Sequence, residues 1–301
     1  MGHLLNKSQY IKINTDTRTL KQGAIYLAIK GTSFDGHQFI DQALSQGAEI
    51  VFSEQEHNDT KVKVVKNTLE TYHQLANEYR NLINPITIAI TGSSGKTTLK
   101  ELLVKLLEQK YKVHATEANF NNEIGVPKTI LSMPDDTQVL ILEMGMRGLG
   151  EIQLLSETAE PNIAVITNIG TAHIERLGSI DNIKKAKLEI VKGIRELGVG
   201  NSGKLIVDSK LYQSLEQSFK GIDLIEFSPR PIPYALSPEI LISNGLLASI
   251  NAAIKVAESL DLSTNQISEG INNYRPGAGR GEFIYKDDNL FIDETYNSNP
   301  E

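Results

Sequence analysis

Residues 91–98 read Thr-Gly-Ser-Ser-Gly-Lys-Thr-Thr and lie between an apolar run and a helical pattern. Glycines let backbone N–H groups converge on an anion, and the N-terminus of the following helix adds partial positive charge. In that setting Lys96 reaches the β- and γ-phosphates of a nucleotide and the Thr97 hydroxyl takes Mg2+. The general pattern has another glycine five residues before Gly95, but Ile90 stands there, so this is a shorter variant. Gly92, Ser93, Ser94, Gly95, Lys96, Thr97 and Thr98 are the candidate nucleotide-binding residues. The alternative is a Gly/Ser turn with an exposed lysine.

Three further residues stand where chemistry is expected. Glu143 closes the apolar run 139–142. At that strand end it is either a solvated acid or, with a phosphate loop upstream, a hard oxygen ligand for Mg2+. His173 follows Thr167-Asn168-Ile169-Gly170, beyond another apolar strand; it is a satisfied structural histidine or a ligand. Lys187 shares the i, i+4, i+7, i+11 face of Ile183, Ile190 and Ile194. A lysine on that stripe either snorkels at its edge or is functional. Thr15-Asp16-Thr17-Arg18 and Asp35-Gly36-His37 read locally as turns and caps. Residues 119–123, Asn-Phe-Asn-Asn-Glu, form an Asn-dense loop of the kind that carries function on a rigid scaffold.

The elements that must position these residues follow from periodicity. Residues 24–29 and 50–52 are short strands flanking a helix with Phe39, Ile40, Ala43 and Leu44 on one face, closed by Gly47. A helix over 69–82 runs into Asn84-Pro85, which breaks the pattern and marks a domain boundary. The expected domains are 1–83 and 84–301. Beyond the boundary come a strand over 86–90, a helix carrying Leu99, Leu102, Leu103, Leu106 and Leu107, and strands over 139–142 and 163–166. A helix spans 180–197, a Pro-rich interruption covers 229–238, and a helix over 245–260 precedes a late strand from Asn289. This order predicts an α/β fold: a small N-terminal α/β domain, then a mostly parallel sheet covered by helices. Phosphate ligands of such sheets bind beyond the carboxyl ends of the strands.

Composition bounds the function. The 301 residues carry 30 Lys and Arg against 37 Asp and Glu, a net charge of −7, which argues against a general nucleic-acid binder. With 40% hydrophobic and 22% charged residues the chain is globular. Its apolar runs are far shorter than the ~20 residues that cross a bilayer, so no membrane insertion is expected. No signal peptide is visible, and the absence of Cys excludes disulfides and Cys-ligated metals. A cytoplasmic protein is the expectation.

Together these segments resemble the Mur ligases, ATP-dependent amide ligases that build the peptide stem of bacterial cell wall. The resemblance is carried by the short phosphate loop, by residues 119–127 (Asn-Phe-Asn-Asn-Glu-Ile-Gly-Val-Pro), by 142–152 and by 166–178. It extends through Gly279-Arg280-Gly281-Glu282 and residues 292–300 (Ile-Asp-Glu-Thr-Tyr-Asn-Ser-Asn-Pro), and runs from about residue 15 to the end. It is strongest to the branch that joins D-alanyl-D-alanine to UDP-N-acetylmuramoyl-tripeptide, which implies those two substrates, with ATP and Mg2+ as cofactors. It implies that Lys96 and Thr97 hold the ATP phosphates and a first Mg2+. Glu143 is then a Mg2+ ligand, His173 helps hold a second Mg2+, and Lys187 matches a lysine that several relatives carbamylate into a carboxylate-like ligand. Lys96, His173 and Lys187 form the implied catalytic set. Asn251 and Arg280 match nucleotide-contacting positions, and Asp293 and Asn297 match positions near ribose and adenine. Thr17, Arg18, Asp35, Gly36 and His37 face the uridine nucleotide, and Asn121, Asn122 and Glu123 belong to the substrate loop. The implied chemistry passes through an acyl-phosphate, with protein, lysine and Mg2+ neutralising the charge that develops.

The pattern departs from the family in three places. Relatives continue into a third, Rossmann-like domain where this chain stops at Glu301, so a C-terminal domain supplied in trans is an expected partner. Ile206-Val207-Asp208-Ser209 replaces an Asn-Ala-Asp-Asp-Pro-like segment, and Leu247 replaces a histidine beside the nucleotide. The competing reading is a non-catalytic paralogue that senses UDP-muramoyl peptide or nucleotide. An unrelated P-loop kinase or GTPase leaves residues 119–127 unexplained.

Overall fold

A computed structural model describes residues 5–31, 34–198, 200–215, 219–233, 244–277, 282–286, 289–293 and 295. The chain divides into two compact units, Met1–Asn84 with Pro127–Asp135, and Pro85–Val126 with Asp136–Glu301.

The first unit contains α1 (Lys7–Tyr10), β1 (Ile13–Asn14), β2 (Ile25–Leu27), α2 (Ile40–Ser45), β3 (Ile50–Ser53), β4 (Val62–Val64) and α3 (Thr68–Ile83). The strands form a four-stranded sheet in the order β1-β2-β3-β4, parallel throughout. Tyr26, Ala28, Ile40, Ala43, Ala48 and Val51 form a core on one side of it. The expected helix around 39–44 splits: Gly36–Phe39 is a 3-10 turn, with the Asp35 side chain accepting from the His37 N–H, and α2 follows. Helix α3 starts on Asn67, whose side chain accepts from the Glu70 N–H, and ends on Asn84 in the left-handed region. Residues 127–135 group here for a local reason. The Tyr79 hydroxyl lies 2.9 Å from the Met133 carbonyl oxygen and 3.0 Å from Asp135 Oδ1, and Lys7 pairs with Asp135 at 3.1 Å.

The second unit alternates strand and helix: β5 (Ile86–Thr91), α4 (Lys96–Leu107), β6 (Val113–Ala115), the start of α5 (Gly125–Leu131), β7 (Val139–Glu143), α6 (Glu151–Ala159) and β8 (Ile163–Ile166). Then follow α7 (Ile174–Leu177), α8 (Ile180–Leu188), β9 (Gly203–Asp208), α9 (Ser209–Gln213), β10 (Ile222–Phe227), α10 (Asn244–Ser259) and α11 (Thr264–Asn273). A six-stranded sheet runs β10-β9-β8-β5-β7-β6, every pair parallel. Parallel strands buried on both faces read as continuous apolar runs, and β5, β7 and β8 do. Leu99, Leu102, Leu103, Leu106 and Leu107 of α4 pack with Ile88, Ile90, Val139, Ile141, Ile163 and Val165 in one core, joined by residues of α10 and α11. The late strand β12 (Asn289–Asp293) pairs antiparallel with β11 (Glu282–Lys286) in a separate ribbon.

One expected element is overturned. The helix over 180–197 stops at Leu188, continues as a 3-10 turn over Glu189–Gly193, and Ile194 is extended. The cause lies on α6. Ser156 Oγ donates to the Ile190 carbonyl and accepts from the Gly193 N–H. A Cβ on Gly193 would overlap the Ser156 carbonyl, so this close approach requires glycine and ends the helix.

Candidate active site

Strand β5 lies between β7 and β8, and the chain leaves it first toward β6 and β7 and later toward β8 and β9. That reversal opens a crevice beyond the strand ends. The loop 92–95 leaves β5 there and turns directly into α4. Gly92 and Gly95 have φ of 153° and 76°, in the range that favours glycine. A Cβ on Gly92 would overlap the Thr167 hydroxyl. No side chain caps the start of α4. Its first N–H groups are the orphan donors that a helix N-terminus offers an anion.

Glu143 ends β7 level with Ile90 of β5 and is only 3% exposed. Its carboxylate accepts from the Thr97 hydroxyl at 2.8 Å through Oε2 and from Asn121 Nδ2 at 2.9 Å through Oε1. Its backbone N–H donates to Thr116 Oγ1 at 3.0 Å. The solvated-acid alternative is therefore excluded: this is a buried carboxylate held by donors from α4 and from the Asn-rich loop. Lys96 Nζ donates to the Gly92 carbonyl at 2.9 Å, so the lysine curls over its own loop. Burial lowers the Lys96 pKa, and the nearby negative charge of Glu143 opposes that.

His173 has a φ of 69°, preceding the single turn of α7. Its pKa is lowered first by burial and then by the positive charges of Lys187, Lys96 and Arg176, with Glu151 opposing. Lys187 is 1% exposed, which excludes snorkelling. Folding thus brings Lys96, Glu143, His173 and Lys187 into one electrostatic neighbourhood. Thr97 and Glu143 present hard oxygens, the donor chemistry Mg2+ takes alongside water and phosphate oxygens. Among the described residues no group of three or more His, Asp or Glu could hold a metal alone. A Mg2+ that arrives with a nucleotide needs no such cage.

The other sequence-predicted residues are distributed as follows. Asn122 Oδ1 accepts from the Ile124 and Gly125 N–H groups at the start of α5. Glu123 pairs with Arg147 at 2.9 Å. Ser93 and Ser94 are tied to the loop after β8, and Thr98 lies in the first turn of α4. Asn251 Nδ2 donates to the Leu247 carbonyl one turn back on α10 and to the Arg230 carbonyl in the segment after β10. Asp293 accepts from the Thr295 N–H. Arg280 and Asn297 lie outside the described residues. In the first unit Thr17 is buried, and Arg18 is exposed and forked onto Asp16 at 2.7–3.1 Å. Gly36 is packed so closely on Ile29 that a Cβ would crowd its backbone. Asp35 and His37 form a pair at 2.6 Å. Sequence reasoning passed over Thr116, Thr167 and Asn168 as contributors. The signal present was a polar Thr-Asn pair following an apolar strand.

A profile of the Mur ligase family catalytic domain matches residues 10–88, and one of the Mur ligase middle domain matches residues 90–228. The Bacillus subtilis UDP-N-acetylmuramoyl-tripeptide--D-alanyl-D-alanine ligase is 36% identical over 96% of the chain and 67% of its own length. The chain belongs to the Mur ligase family. The ligase of the same description from Synechocystis is 38% identical, over 97% of the chain and 68% of its own length. The Mur ligase chain thus spans about two thirds of each of these relatives. Among solved structures, MurF ligase from Thermotoga maritima in complex with ADP superposes with a TM-score of 0.85. It is 27% identical over 97% of the chain and 73% of that structure.

Proposed function

We propose that this chain carries the ATP-dependent step of a Mur ligase that joins D-alanyl-D-alanine to UDP-N-acetylmuramoyl-tripeptide in peptidoglycan precursor synthesis. The observation that carries the reading is the buried Glu143 carboxylate bonded to Thr97 at the mouth of a glycine loop, with Lys96 beside it. The kinship with ligases of that description supports the substrates. An oxygen of the tripeptide carboxylate attacks the γ-phosphorus of ATP and ADP leaves. The D-alanyl-D-alanine amine then attacks the acyl carbon, phosphate leaves and the nitrogen loses a proton. The uncapped N–H groups at the start of α4 and Lys96 orient and neutralise the phosphates. Thr97 and Glu143 would hold Mg2+, which when bound withdraws charge from the phosphate oxygens. His173 stands where neutral imidazole is favoured, and Lys187, once carbamylated, would offer a further anionic oxygen ligand. Thr17, Arg18 and the turn 35–37 are assigned to the UDP-linked substrate, and Asn251, Arg280, Asp293 and Asn297 to the nucleotide. With ATP and a UDP-linked substrate as reactants, the reaction is assigned to the cytoplasm. No helix among the described residues is long and apolar enough to cross a membrane.

The sensor alternative is not favoured, because the curated relatives of matching description are ligases and Lys96, Thr97 and Glu143 are all present in this chain. The test is phosphate release from ATP with UDP-N-acetylmuramoyl-tripeptide, with and without D-alanyl-D-alanine, with product masses checked. Release that needs both substrates and yields the pentapeptide mass is expected. A second arm adds the C-terminal third of a relative in trans. Binding without turnover in both arms would overturn the ligase reading and leave a sensor.

A further inference from the structure

Asn168 is the second residue of the loop after β8, 75 residues from Ser93 in sequence. Its Oδ1 accepts from the Ser93 and Ser94 N–H groups, both at 3.0 Å, and its Nδ2 donates to Ser94 Oγ at 2.6 Å. The Ser93 N–H also lies 3.2 Å from the Asn168 carbonyl oxygen. The contact is reciprocal: Thr167 Oγ1 donates to the Ser94 carbonyl at 2.5 Å, and the Gly170 N–H donates to Ser93 Oγ at 2.9 Å. The amide orientation follows from these partners, since a flipped carboxamide would face its NH2 against two N–H donors. Gly92 permits the approach, because a side chain there would occupy the place of Thr167.

Resting on the nucleotide-binding reading, we propose that Asn168 is a positioning residue whose neutral carboxamide presets the phosphate loop for the nucleotide. Converging N–H dipoles repel one another when no anion is present. A carboxamide oxygen satisfies two of them without adding charge and leaves the start of α4 uncapped for phosphate. The loop then loses less freedom when the nucleotide arrives. The same bonds tie the phosphate loop to the strand end that leads, five residues on, to His173. A carboxylate at this position would accept the same two N–H groups but place a negative charge against an anion site. The chemistry therefore calls for Asn rather than Asp.

The test is ADP binding with Mg2+ by titration calorimetry on the full 301-residue chain, paired with amide hydrogen exchange of residues 92–97. Asn168→Ala is expected to weaken ADP roughly tenfold, the loss of about one net hydrogen bond's worth of order, and to speed exchange at Ser93 and Ser94. Asn168→Asp is expected to keep exchange slow yet weaken ADP at least as much, with the deficit shrinking as salt screens the added charge. A merely structural asparagine would let the Asp variant bind ADP as the wild type does, so that result overturns the proposal. Wild-type affinity in the Ala variant overturns it as well. If the wild-type chain itself fails to bind ADP, the functional reading falls together with it. Binding by wild type with unaltered variants removes only the positioning role.

Discussion

His37 in the first unit and His173 in the second are handled in opposite ways. His37 is buried with both ring nitrogens engaged: Nδ1 lies 2.6 Å from Asp35 Oδ1, and Nε2 accepts from the Glu54 N–H at 3.0 Å. An N–H pointing at Nε2 requires a lone pair there, so the network assigns the proton to Nδ1. That ring latches a turn to a strand end. His173 instead sits on a left-handed residue among Lys96, Arg176 and Lys187, with burial holding its pKa below the ordinary 6.5. Cations gathered around an imidazole favour its neutral form, whose free nitrogen can accept a hydrogen bond or bind a metal. A histidine's surroundings, rather than its presence, separate a ring latched through both nitrogens from one set among cations.

The comparison can be broken most directly through the cations. Lys96→Ala is expected to lower nucleotide affinity by about two orders of magnitude, since a charge-assisted phosphate contact disappears from a partly desolvated site. Affinity measured by calorimetry that stays at the wild-type level would remove the phosphate-loop assignment. Lys187→Ala is expected to cut turnover by at least about tenfold. Partial recovery with added short carboxylates would support carbamylation, and an intact fold without recovery would remove that role.

The latch is expected to respond differently. His37→Ala strands the Glu54 N–H and removes the ring partner of the Asp35 carboxylate, which keeps the backbone N–H of residue 37. It should cost about 2 kcal/mol of stability in the first unit while ADP affinity stays unchanged. A chemical denaturation curve and an ADP titration on the same variant separate the two. His173→Ala should show the reverse, with little loss of stability and a clear loss of turnover.

The smallest effects are in titration. Because the folded pKa of His173 lies below its unfolded value, the unfolded chain binds more protons. Its contribution to stability is therefore present above the unfolded value of 6.5 and is lost as pH falls from there through the lower folded pKa. Lys187→Met, by removing one of the cations that depress it, should move the His173 resonance titration upward. Carbamylation of Lys187 would replace that positive charge with a negative one, so bicarbonate should move it in the same direction. A titration indifferent to both would show that Lys187 does not act on His173.

Much of the strand, glycine turn and helix over residues 86–107 was legible because its determinants are local. An apolar strand, two glycines and a leucine-striped helix of period 3.6 specify strand, turn and helix without distant partners. Glu143 was legible as the end of such a strand. Its burial was not, because Thr97 and Asn121 reach it from elements 46 and 22 residues away. The helix over 180–197 was misread because Ser156, on another helix, decides where it stops. The Thr167-Asn168 pair after an apolar strand marks a polar strand end, but its partners Ser93 and Ser94 lie 75 and 74 residues away, beyond the reach of any local pattern.

The amino-acid sequence by itself determined the small α/β unit, the buried parallel strands and the loop fit for phosphate, since hydrophobic period and glycine placement act within a few residues. Only the tertiary structure decided that β7, β5 and β8 lie side by side. That order places Glu143, the glycine loop and Asn168 at the carboxyl end of three adjacent strands. The physical reason is that parallel strands pair only after long crossovers, so which strand ends meet is set by packing across the whole unit and not by any local pattern.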